Sequence, residues 1–307
     1  MTPPRILCIG LTPALQQTYV MLSLLPGTVN RAVRRLESVG GKAVNTARVV
    51  RRLGDDPWQL GLLGGATGDA VEARLAAEGL SGSFTRTGAP TRVCTTIIDA
   101  EGRATTELVE EASTPTAGEL AELAAVLAAQ AVAAAAVVVA GRPPPGTPER
   151  LYADLIAPLS VRGLPVVIDT CGPAALAVAG PGVALLKMNR DEQRAMGPDD
   201  PGAFARSMLA RGLPALLVTD GGGAVRLDTR EGTRWFRPPP VVEVNAVGSG
   251  DAATAGLVHA LVRGANVIEA VRFGLACGAA NAEVEGTAEV DPARARELLA
   301  GVREEHR

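Results

Sequence analysis

Residues 245–256 read Asn-Ala-Val-Gly-Ser-Gly-Asp-Ala-Ala-Thr-Ala-Gly and lead into a helical pattern. A glycine-rich turn at a helix start presents free backbone N–H groups and the positive end of the helix dipole, an anion site suited to a phosphate. Asp251 stands at its mouth. A carboxylate repels a phosphate, but it can take the proton from a hydroxyl that attacks one. Aspartate is equally an ordinary helix cap, and the local pattern leaves both roles open. Gly248-x-Gly250-x-x-Ala253 also fits a dinucleotide fingerprint. That fingerprint normally opens a βαβ unit, and no strong strand follows here, which disfavours a dehydrogenase.

The cations are skewed. Of 30 Lys and Arg residues only Lys42 and Lys187 are lysines, leaving 28 arginines. A compact ammonium fits between phosphate oxygens where a planar guanidinium is too wide. Lys42 follows Gly40-Gly41, and Lys187 opens Lys-Met-Asn-Arg-Asp-Glu. Lys42 belongs to no Walker A loop, because Ala43 follows it and Leu36 holds the place of the leading glycine. No H-R-D or D-F-G string of a protein kinase is present.

Composition narrows the class further. The chain has 307 residues, net charge −3, 47% hydrophobic and 21% charged residues, enough for a large core. The near-neutral balance excludes a basic nucleic-acid surface. Four scattered cysteines and two histidines, His259 and His306, give no disulfide framework, zinc site or H-E-x-x-H helix. Met1–Gly10 reads as a buried strand rather than an export signal, and a cytoplasmic protein is expected. The Ala-rich run Leu120–Ala140 is broken by Glu122 and Gln130, so a helix over 117–131 and a strand over 135–140 are expected rather than a membrane span.

The elements that must position these groups alternate. Helices are expected at Ala43–Leu53, Asp69–Glu78, from Thr147-Pro148, at Ala252–Val262 and from Asp291-Pro292. Buried strands are expected at Trp58–Leu63, Pro165–Asp169, Val183–Leu186 and Pro214–Thr219, with a β-prone segment at Val241–Val244. This rhythm predicts an α/β fold with a mostly parallel sheet. Gln16–Glu37, with alternating Val29, Arg31, Val33 and Arg35, and Thr91–Val109, with a turn at 99–102, predict a small separate sheet serving as lid or dimer surface.

These segments resemble the PfkB (ribokinase-like) carbohydrate kinases, specifically the 1-phosphofructokinase and tagatose-6-phosphate kinase branch. Gly248–Asp251 resembles the family's GAGD signature. Residues 40–48 resemble GGKGxNxAR, residues 12–16 NPALD, residues 140–146 SGSLPPG, residues 187–192 KPNxxE, and residues 218–224 the VSLGxxGA turn. The resemblance implies a three-layer α/β/α Rossmann-type core (1–11, 37–90 and 110–307) with a β-sheet lid (12–36 and 91–109). It implies phosphoryl transfer from ATP with Mg2+ to a sugar phosphate, and a homodimer through the lid. Asp251 would be the base, with the N–H groups of Gly248, Ser249 and Gly250 as anion hole. Gln16, Arg31, Gly41, Lys42, Asn45, Arg92 and Arg142 would bind the acceptor. Lys187, Thr219, Gly221, Gly223 and Asn281 would bind the nucleotide, and Asn189 and Glu192 would organise the metal through water.

The departures lie on the acceptor side. Gln16 replaces the NPALD aspartate and Thr12 its asparagine, Val109 stands for an asparagine, Arg142 for a serine, and Ala43 for a glycine whose backbone approaches a ligand. They leave open whether the acceptor is fructose 1-phosphate, fructose 6-phosphate, tagatose 6-phosphate or another sugar. A kinase of unphosphorylated sugars and a non-catalytic sugar or nucleotide sensor are the alternatives.

Overall fold

The computed structural model describes residues 2–160, 162–197 and 200–305; His306 lies outside them. In chain order the first elements are β1 (Arg5–Ile9), β2 (Ala14–Met21), β3 (Arg34–Gly40), α1 (Lys42–Arg52), β4 (Asp56–Gly64), α2 (Gly65–Ala77) and β5 (Ser81–Thr87). There follow β6 (Val93–Asp99), β7 (Ala104–Val109), α3 (Ala117–Ala131), β8 (Ala136–Ala140), α4 (Leu151–Ser160), β9 (Val166–Asp169) and α5 (Pro173–Val178). The rest are β10 (Leu185–Asn189), α6 (Arg190–Arg194), α7 (Pro201–Ala210), β11 (Ala215–Thr219), β12 (Val225–Thr229), β13 (Gly232–Arg237), α8 (Ser249–Leu261), α9 (Val267–Ala282), α10 (Pro292–Leu299) and β14 (Arg303–Glu305).

The main sheet runs β14-β13-β12-β11-β10-β9-β8-β1-β4-β5. It is parallel from β11 to β5 and antiparallel beyond β11. Side chains alternate across it. Ile6 and Cys8 of β1 join a core with residues of α1, α8 and α9, whereas Leu7 and Ile9 join another with residues of α3, α4 and α7. Such near-continuous apolar strands are what a sheet covered on both faces requires. The chain order reverses at β1, whose neighbours are β4 and β8. A crevice at the carboxyl ends of strands opens at such a switch point. No helix among the described residues is long and apolar enough to cross a membrane.

A second sheet, β3-β2-β6-β7, packs through Leu15, Val39 and Val93 onto the core. It leaves Leu36, Leu108 and Val109 exposed. The alternation at residues 29–33 does not make a strand. Asn30 instead trades hydrogen bonds with the backbone N–H and carbonyl of Leu25, and Thr28 also donates to that carbonyl. Local side-chain bonds of this kind compete with ladder pairing. Val241–Val244 is likewise no strand, for the N–H groups of Val244 and Asn245 both donate to the Ala282 carbonyl. Thr147 caps no helix. Its hydroxyl donates to the Pro144 carbonyl, and α4 starts at Leu151.

Ala43 differs from expectation too. It is buried, and its methyl points at Gly10 after β1 rather than at a ligand. A Cβ built on Gly10 would stand 2.5 Å from the Ala43 Cβ. Gly10→Ala should therefore destabilise the fold by about 1–3 kcal/mol through overpacking. Adding Ala43→Gly should recover part of the loss, as read by denaturant unfolding of the single and double variants.

Candidate active site

The N-termini of α1 and α8 meet at the carboxyl ends of β8, β9 and β10. Gly248, at φ +83, turns the chain into α8. A Cβ there would stand 2.9 Å from Thr287 and 3.0 Å from the Ala288 nitrogen, so the turn requires glycine. The Ser249 N–H is spent on the Ala246 carbonyl at 3.1 Å, which removes it from the expected anion hole. Those of Gly248, Gly250 and Asp251 have no partner among the described residues. They are the orphan donors every helix start leaves.

Asp251 is only 7% exposed, and its Oδ2 accepts from Asn45 Nδ2 at 2.8 Å. Burial, then the nearby Asp169 charge, push its carboxyl up to about 6, partly offset by the Asn45 hydrogen bond and the two lysines. Asn45, an expected acceptor contact, thus sits on the expected base.

Both lysines converge on Asp169, the last residue of β9. Lys187 is buried on β10, and its Nζ is 2.7 Å from Asp169 Oδ2. Lys42 Nζ lies 3.1 Å from Asp169 Oδ1 and 3.1 Å from Glu192 Oε1. Thr254 on α8 donates to Asp169 Oδ2 at 2.7 Å. Burial alone would raise the Asp169 carboxyl, but Lys187, Lys42 and the hydrogen bonds outweigh it and hold it well below the carboxylate range. Burial alone would likewise lower the Lys42 ammonium. Asp169, Glu192 and Asp251 outweigh it and hold it above ordinary lysine. Sequence reasoning missed Asp169. The available signal was a lone carboxylate ending the apolar strand Val-Val-Ile-Asp.

Asn189 and Glu192 form a reciprocal capping box at α6, with bonds of 2.8 and 2.9 Å. Thr219 pairs with Asn189 across β10 and β11. Its turn continues through Gly221, at φ +52, to Gly223, whose N–H donates to the Asp220 carbonyl. Asn281 is fully buried. Its Nδ2 donates to the Val247 carbonyl and to Ser249 Oγ, and its Oδ1 accepts from the Glu289 N–H. It staples the turn from beneath and presents no amide to a nucleotide, which corrects that assignment.

The acceptor-side residues are more dispersed. Gln16 donates to Thr96 at 2.9 Å, beside Gly40. Gly41 caps α1 next to Pro13. Arg92 holds the Thr12 and Glu110 carbonyls. Arg142 donates from Nε to the Cys171 Sγ at 3.0 Å. Arg31 is exposed in the 22–33 connection and is not brought to the cluster by any contact.

A buried carboxyl raised to about 6 costs stability wherever it is ionised. The folded state holds a proton that the unfolded state has lost between about pH 4 and 6, so stability falls across that window and stays lower above it. Asp251→Asn should therefore be more stable than wild type at pH 8, by on the order of 2 kcal/mol, and unfold at a higher temperature. The gain should vanish near pH 4, as followed by calorimetric melts across pH.

Comparison with known proteins agrees with this geometry. Residues 4–294 match the model of the pfkB family carbohydrate kinases. A 1-phosphofructokinase of Xanthomonas campestris is 30% identical over 305 residues, covering 96% of each chain. An ATP-dependent 6-phosphofructokinase isozyme 2 of Mycobacterium tuberculosis is 30% identical over 292 residues, covering 93% of this chain and 86% of that one. The fold matches phosphofructokinase-2 from Escherichia coli in complex with potassium, with TM-score 0.85 at 24% identity over 98% of this chain and 99% of that one. It also matches a possible 1-phosphofructokinase of Thermotoga maritima, with TM-score 0.86 at 21% identity over 98% and 99%. The glycine turn, the strand-end cluster and a family match spanning nearly the whole chain lead to one conclusion: this chain belongs to the pfkB family of carbohydrate kinases, phosphotransferases that act on a hydroxyl.

Proposed function

We propose that this kinase transfers the γ-phosphoryl group of ATP to a hydroxyl of a hexose phosphate, with Asp251 as general base. The buried Asp251 carboxyl beside the free N–H groups of Gly250 and Asp251 itself carries the reading. A base held near 6 is ionised at neutral pH and still basic enough to accept the hydroxyl proton. The amides at the α8 start would face the oxygens of the moving phosphoryl group, where preorganised donors contribute most. Lys42 and Lys187 would balance the phosphate charge. The names of the relatives, a 1-phosphofructokinase and a 6-phosphofructokinase, favour a phosphorylated acceptor.

No group of three or more His, Cys, Asp or Glu residues among the described residues could hold a metal ion alone. The oxygens of Asp169 are filled by Lys42, Lys187 and Thr254. A magnesium ion would therefore be carried on ATP phosphates and water, and Glu192 and Asn189, whose oxygens already accept from Lys42 and from each other's backbone N–H groups, would hold its waters rather than the ion itself. Such an ion would neutralise phosphate charge. The outward Leu36, Leu108 and Val109 fit a homodimer through the small sheet, which would serve as lid. One observation favours an unphosphorylated sugar as second reading. Arg92 is committed to main-chain carbonyls and Arg31 stands apart, so fewer cations converge than a phosphosugar would use.

ADP release across sugars and sugar phosphates separates the readings. Hexose phosphates should support turnover, activity with neutral sugars alone would assign the second reading, and no release with any acceptor would leave a sensor. Asp251→Asn should lower kcat about 10²–10⁴-fold. The wild-type kcat/KM should fall tenfold per pH unit below about 6, as the base is protonated. Lys42→Arg should raise the sugar KM more than the ATP KM. An equal rise in both would remove Lys42 from the acceptor side.

A further inference from the structure

Between α1 and the segment that packs on Gly248 lies a cavity of about 690 Å³, walled by Ser38, three arginines of α1, Glu78 and residues 287–289. Neither Asp251, Lys42 nor the 248–251 turn lines it. Arg48, Arg51 and Arg52 fall at positions i, i+3 and i+4 and share one side of the helix. Arg48 grips Glu78 with two bonds of 2.6 and 2.8 Å. Arg51 donates to the Glu78 carbonyl and lies across Gly79. Arg52 meets Glu289 at 3.5 Å, with both side chains about half exposed, a pair of small worth. Three guanidinium groups thus face two carboxylates. Most N–H donors of Arg51 and Arg52 keep no protein partner among the described residues, and planar donors of this kind match phosphate oxygens.

Both walls touch the candidate machinery. Arg48 Nη1 donates to Asn45 Oδ1 at 3.1 Å, and Asn45 Nδ2 donates to Asp251 at 2.8 Å. Opposite, Thr287 and Ala288 press on Gly248, and Ala288 holds φ +58, an uncommon conformation for a residue with a side chain. The Glu289 N–H donates to Asn281, which staples Val247 and Ser249.

We propose that this cavity is a second anion site, for a small phosphate monoester, through which the kinase is regulated. The phosphate sits between Arg51 and Arg52 and displaces Glu289 from Arg52. Moving 287–289 then shifts the contact with Gly248 on one side, and Arg48 carries the change to Asn45 and Asp251 on the other. The proposal goes beyond the assigned reaction, and its binding readout does not depend on turnover.

The test uses inorganic phosphate as probe on the whole protein saturated with ATP, which keeps phosphate from the 248–251 turn. Calorimetric titration should show saturable binding that weakens at least tenfold in Arg51→Ala/Arg52→Ala. Both side chains are exposed, so folding and basal turnover should hold, and Arg51→Lys/Arg52→Lys should retain part of the affinity. At saturating ATP and acceptor, phosphate should change kcat in wild type and leave the double alanine variant unmoved. Equal affinity in wild type and double variant would overturn the site. Binding at the arginines with no change in kcat would overturn the regulation. A failure of ATP itself to bind would count against the kinase reading and would leave the arginine comparison standing.

Discussion

The Asp169 carboxylate is the charge on which the site is assembled. A fully buried carboxylate costs several kcal/mol unless partners surround it, and here the partners come from separate elements: Lys187 from β10, Lys42 from α1 and Thr254 from α8. Fixing one carboxylate therefore fixes the relative positions of a strand and two helices. It also fixes Asp251, which lies one turn before Thr254 on α8. The Asp169 charge then helps hold the Asp251 carboxyl high. The structural anchor and the tuning of the Asp251 carboxyl are one interaction seen from two sides.

The same interaction explains the two lysines of an arginine-rich chain. Two ammonium groups share a single buried carboxylate, one on each oxygen. Arg35 and Arg74 share Glu37 in the same one-per-oxygen manner nearer the surface, so the lysines answer to the confined, buried space at Asp169, where a compact ammonium fits more readily than a planar guanidinium. Arginine appears instead where a plane fits, as in the two-bond grip of Arg48 on Glu78.

What the sequence revealed was local. The Gly248–Asp251 turn, the helix at 117–131 and the hairpin within 91–109 depend on a few neighbouring residues, whose conformational preferences act at short range. What escaped depends on contacts far apart along the chain. Asp169 meets Lys42 across 127 positions, and Asn45 meets Asp251 across 206. The β-prone Val241–Val244 lost its strand to the carbonyl at the end of α9, which no local propensity reports. Asn281 fell in the expected region, but nothing in its neighbours told a buried staple from a ligand contact. The sequence singled out both lysines, but for opposite sides of the site, and the carboxylate that joins them was not legible.

The departures from the family pattern are informative through their partners. Ala43 adds a methyl that fits against Gly10. Gln16, neutral where the family has a carboxylate, spends its amide on Thr96. Arg142, a cation in place of a serine, places Nε on Cys171. Here the substituted side chains meet groups that complement them, while the free amides at the start of α8 and the buried Asp251 are intact. Each of these departures is thus accommodated by its own neighbours, and none of them touches the start of α8.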